Sequence, residues 1–126
     1  MLYTSFQASF LNYLLAQSTL TALVEDRLYF ANFYSLPPIA YPACTFLLAD
    51  GKDFLGIVRD FPMTAYSHSE LHYDESHQVM DVLAGLLDNY ILSNAAVIRV
   101  TGNPIENYLA DPRLYNVNIP LHVTLL

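Results

Sequence analysis

Charge is what this chain has least of. Only 13% of its 126 residues are ionised, against roughly a quarter in an average soluble domain, and the net charge is −7. Basic residues are the scarcest part: Arg27, Lys52, Arg59, Arg99 and Arg113 are all there are. A chain so poor in cations does not hold nucleic acid by neutralising phosphates. It can still surround DNA, because an acidic wall repels the backbone and lets it slide. Cysteine is nearly absent too. Cys44 alone excludes an internal disulfide, and its apolar setting, Ala43-Cys44-Thr45-Phe46-Leu47-Leu48, marks it as a buried small hydrophobe. Tryptophan is missing. So is any apolar run near the roughly 18 residues of a membrane span. Residues 1–24 carry no charge, but Thr4, Ser5, Gln7, Ser9, Asn12 and Gln17 interrupt them, and no basic segment precedes them.

The common signatures of catalysis are missing as well. The four glycines, at 51, 56, 85 and 102, are too scattered for a phosphate loop. No nucleophile elbow surrounds a serine. The acid pairs Glu25-Asp26 and Asp50/Asp53 lie in turns and read as solvated charge. One segment concentrates chemistry: Ser67 to His77 holds three of the four histidines and three carboxylates. His68 and His72 are four apart, as are His77 and Asp81, the spacing of metal ligands on a helical turn. No second ligand group lies elsewhere in the chain. The segment therefore reads as a polar strand-to-helix junction, and no metal, cofactor or catalytic residue is expected.

What remains is apolar. Hydrophobic residues make up 54% of the chain, with ten tyrosines and seven phenylalanines. A folded monomer of this mass exposes on the order of 6,800 Å², and only 17 charged side chains (5 basic, 12 acidic) are available to dress it. Interface centres are depleted in charge and enriched in aromatics. The composition therefore predicts a subunit whose surface is partly covered by partners.

The patterning predicts an α+β fold in one domain, 1–126. Its mixed, mainly antiparallel sheet carries an N-terminal helix and a second amphipathic helix. The first helix, 3–17, is apolar around most of its circumference. Only Ser5, Ser9, Asn12 and Ala16 form a polar stripe. Burial on two sides is expected, one against its own sheet and the other against a neighbouring subunit. Ser18 is expected to cap a short turn through Val24. A short strand is predicted near Arg27–Phe30, then an irregular crossing broken by Pro37, Pro38 and Pro42. Residues 43–49 read as a strand buried on both faces. Asp50-Gly51-Lys52-Asp53 is a hairpin turn, and 55–67 the return strand. The clearest helix is 74–91. Its apolar face is Val79, Val82, Leu83, Leu86, Leu87 and Tyr90, and its polar face Asp74, Gln78, Asp81, Gly85 and Asp88. A third strand covers 96–101, and a strictly alternating one covers 114–125. Pro62 and Pro120 mark edges or bulges. Residues 103–112 read as an insertion-like loop.

Several stretches together resemble a known family. They are Leu20-Thr21-Ala22-Leu23-Val24-Glu25-Asp26-Arg27-Leu28-Tyr29, Tyr41-Pro42-Ala43-Cys44-Thr45-Phe46, Ala65-Tyr66-Ser67 running into Asp74-Glu75, and the alternating C-terminal strand. In order of elements they are similar to the tail-terminator, tail-completion or neck proteins of tailed phages, lambda-like ones included. The resemblance implies a ring-forming subunit, usually of a hexamer, that caps the tail tube and meets the head connector or stopper proteins. DNA would pass through the lumen without sequence-specific binding. The place implied is the tail or neck of a virion assembled in the host cytoplasm, away from membranes. Contacts between copies are expected from Tyr3, Phe6, Phe10 and Tyr13 on the first helix and from Asp50, Lys52 and Asp53 at the hairpin tip. A head-completion or stopper protein is the near alternative. The more distant ones are a small metal hydrolase using His68, His72 and Asp74 or His77, and a ligand pocket built from Tyr29, Phe30, Phe33 and Tyr34.

Overall fold

The computed structural model describes residues 1–30, 39–48, 59–110 and 113–126, without the side chains of residues 3 and 4. The fold is α+β: three helices on one face of a mixed, curled seven-stranded sheet. Helices α1 (Tyr3–Leu15) and α2 (Ser18–Val24) lead into β1 (Leu28–Phe30). Strands β2 (Ala43–Leu48) and β3 (Asp60–Ser69) precede α3 (Tyr73–Leu87). The chain ends in β4 (Tyr90–Leu92), β5 (Ala96–Val100), β6 (Ile105–Ala110) and β7 (Arg113–Leu125). The order across the sheet is β1-β2-β3-β7-β5-β4, with β6 also paired to β7. Among the described residues only the β1–β2 pair is parallel.

Alternation along β3 and β7 divides the sheet into two faces. Phe61, Met63 and Ala65 share one face with Val117, Ile119, Leu121 and Val123, their cross-strand partners or neighbours. All seven are buried beneath the helices. Asp60, Pro62, Thr64 and Tyr66 share the other face with Asn118, Pro120, His122 and Thr124. Helix α3 behaves as its pattern predicts. Val79, Leu83 and Leu87 are buried, while Asp74, Gln78, Asp81, Gly85 and Asp88 face solvent.

Helix α1 is buried against its own chain along one line, Phe6, Phe10 and Leu14, each 0% exposed, while Ser5, Gln7, Ala8, Asn12 and Leu15 are exposed. Three expectations are corrected. The cap of α2 is Gln17, with no side-chain capping bond, and Ser18 is already helical. Helix α3 stops at Leu87 rather than running to residue 91. Asn89 takes a left-handed φ of 55°, which turns Tyr90 into a strand. Finally, residues 105–110 are not an irregular loop but β6.

The two prolines find different solutions. Pro62 pairs with His122 of β7, and among the described residues the β2 ladder runs from Met63. Pro120 lies in an interior strand, not an edge. It sits where β5 pairing ends at Leu121 and β6 pairing begins at Asn118. Its carbonyl accepts the Thr101 N–H at 3.0 Å. The missing N–H therefore faces the gap between two partner strands, where no ladder bond is lost.

Candidate assembly surfaces

The histidine-rich segment is distributed over three unrelated jobs. His68, next to last in β3, is almost fully buried, its Nε2 2.9 Å from the Thr45 hydroxyl. Burial pushes its pKa down to about 4, so the ring is neutral. His72 caps α3, its Nδ1 accepting the Glu75 N–H at 3.1 Å. The Ser69 hydroxyl donates to the Glu75 carboxylate at 2.8 Å and accepts the Leu71 N–H at 3.0 Å, closing the junction. His77 leaves the segment altogether and meets Glu106 of β6 at 2.7 Å. Among the described residues, no three His, Cys, Asp or Glu side chains converge as a metal site would require. Cys44 is fully buried, and burial pushes its thiol up to about 12.

The residues expected to touch other copies are placed differently. Phe6 and Phe10 lie in the chain's own core. Phe10 meets Phe46 edge-on at 4.9 Å between ring centres, and Phe6 meets Phe61 edge-on at 5.3 Å. Their surface is already covered from within. Tyr13 is half-buried. Its ring stacks on Tyr90 at 3.9 Å, and its hydroxyl donates to the Leu86 carbonyl at 2.8 Å. The side chain of Tyr3, and Asp50, Lys52, Asp53, Phe33 and Tyr34, lie outside the described residues.

Among the described residues, three open surfaces carry polar or aromatic groups. The first is the ridge of α3, where Asp74, Asp81 and Asp88 are exposed. Asp88 also accepts the Val100 N–H at 3.1 Å. The second is the sheet face away from the helices. There the Asp60 carboxylate accepts the Thr124 hydroxyl at 2.8 Å and contacts His122 at 3.1 Å. These bonds, Thr124 first, hold the Asp60 carboxyl below its usual range.

The third surface is the β6–β7 hairpin. Ile105 is 58% exposed and Tyr108 47%. Tyr115 gathers Tyr73 and Tyr108, each with ring centres 5.1 Å away. Arg113 donates to the Tyr115 hydroxyl at 2.9 Å. Tyrosine and arginine are the residue types that dominate binding at interface centres. Sequence reasoning passed over this hairpin, because Ile105-Glu106-Asn107-Tyr108-Leu109-Ala110 does not alternate, and its length between Pro104 and Asp111-Pro112 was the one strand signal.

No protein-family model matches the chain, and no curated protein matches it in sequence. Among solved structures, a chain described as "Virion of native gene transfer agent (GTA) particle" superposes with a TM-score of 0.67 at 16% identity. The match covers 94% of this chain and 92% of that one. In fold, and over nearly its whole length, the protein is similar to a component of a virion particle.

Proposed function

We propose that this protein is a structural, non-catalytic virion subunit that forms a ring at the neck, caps the tail tube and joins it to the head connector. The observation that carries the reading is the end-to-end fold likeness to a chain from a virion particle. The sparse charge supports it. So does the hairpin, which leaves Ile105, Tyr108 and Arg113 open to a neighbour. The whole chain acts as one unit. Its partners are further copies of itself, the tube protein and the connector or stopper, and DNA crosses the lumen untouched by sequence-specific contacts.

The test is native mass and location. Light scattering of concentrated protein, together with labelled images of particles, should reveal a ring of five or more copies at the head-to-tail joint. Removing the protein should leave tails of uncontrolled length. A monomer at every concentration, with no place in the particle, would overturn the reading.

A further inference from the structure

Among the described residues, β6 is the one strand of seven that gives no side chain to the core. Leu28, Phe46, Met63, Leu92, Ile98 and Leu121 anchor the other six. In β6 only Leu109 is half-buried, and Ile105, Glu106, Asn107, Tyr108 and Ala110 are exposed. A strand with so little buried apolar area opens at a lower free energy than the sheet it joins.

Its backbone is held by the ladder to residues 113–118 of β7. Its side chains add two contacts toward α3. The Nε2 of His77 lies 2.7 Å from the Glu106 carboxylate. The Tyr108 ring meets Tyr115, and Tyr115 meets Tyr73, each with ring centres 5.1 Å apart. Tyr73 and His77 are four residues apart and share one flank of α3. That helix is firmly seated, because Val79, Met80, Leu83 and Leu87 are each 1% exposed or less. Among the described residues, the His77–Glu106 pair is the one side-chain bond between β6 and a helix.

We propose that β6 is a flap that lifts from β7 while the rest of the chain stays folded, and that the His77–Glu106 pair is the clasp that keeps it shut. Both side chains of the pair are partly exposed. A surface pair of this kind shifts an equilibrium by about twofold to fivefold. That is enough to set how often a weakly held strand opens, and too little to fasten it permanently. Opening bares one side of residues 113–118, while β3 keeps its pairing with β7 through Tyr66–Asn118 and Ser69–Tyr115. The device belongs to a single copy and is independent of the ring reading.

The experiment is timed digestion of the whole chain by chymotrypsin, with fragments identified by mass. Cleavage after Tyr108 requires β6 to leave its ladder, so its rate follows the open population when reclosing is fast. Cleavage after Tyr66, in the interior strand β3, reports opening of the whole sheet. In the parent the first should be the faster. His77→Ala and Glu106→Gln should each raise it by about twofold to fivefold. The double variant should raise it no further than either single one, because both remove the same contact. His77→Lys, which keeps a cation opposite Glu106, should return the rate toward the parent's. Cleavage after Tyr66 and the melting temperature should stay unchanged throughout. If the parent is cut after Tyr108 no faster than after Tyr66, β6 opens only with the whole fold and there is no flap. If the single effects are missing, or add in the double variant, His77 and Glu106 are not the clasp.

Discussion

His68 shows how an apparent ligand becomes part of a core. Strand β3 carries it to within hydrogen-bond distance of Thr45, almost without solvent contact. Its neutral ring has a pH signature. In the folded chain it titrates at about 4, below the ordinary value of 6.5. Between those values the unfolded chain binds a proton that the folded one does not, so stability rises with pH across the window. The contribution is complete above about pH 6.5 and lost as pH falls through 4, on the order of 3 kcal/mol in all. Asp60, whose carboxyl is held low in the folded chain, adds a loss of the same sign at more acidic pH. Urea unfolding between pH 7 and 4 should show the slope, and His68→Gln should flatten it. An unchanged slope in that variant would mean that another group titrates there.

At the level of elements, some structure was legible in the sequence and some was not, for one reason. Periodicity tells which face a residue occupies but not which strand lies beside it. The faces of α3 and of β7 could therefore be read directly from Val79, Leu83 and Leu87 and from Val117 through Leu125. The lateral neighbours of β7 could not. It is an interior strand that serves β5 along one stretch and β6 along another, and its proline suggested an edge or a bulge. The hairpin was missed because Gly102, Pro104 and Pro112 resemble loop punctuation, and its six residues are mostly exposed.

The junction of β5, β6 and β7 makes its own prediction. A Cβ added at Gly102 would lie 2.7 Å from Pro120 Cγ, inside any real contact distance. The proline ring has little freedom to withdraw. Overpacking of this kind costs about 1–3 kcal/mol, more than the roughly 0.4–1 kcal/mol that alanine returns by restraining the unfolded chain. Gly102→Ala should therefore lower the urea midpoint. A midpoint at or above the parent's would show that the ring of Pro120 gives way.

For the whole molecule, the decisive quantity is net charge against partly apolar edges. The accessible surface of the described fold is 6986 Å², and acids outnumber bases by 12 to 5 on the chain that presents it. In the proposed ring, copies must overcome mutual repulsion, which salt screens over about 10 Å at 0.1 M. Assembly should strengthen as salt rises from about 0.02 to 0.5 M, and sedimentation at fixed protein concentration would record it. Dissociation by salt would point to contacts built from ion pairs instead.

The long final strand has a last implication. Along residues 121–124, β7 is locked between β3 and β5, whereas the hairpin leans on it only through 113–118. Peeling that hairpin away would leave the locked stretch and its buried aliphatic layer in place. Amide exchange in β6 should then run ahead of exchange in β3. A newly made subunit could hold its shape while still offering an adjustable arm to whatever it joins.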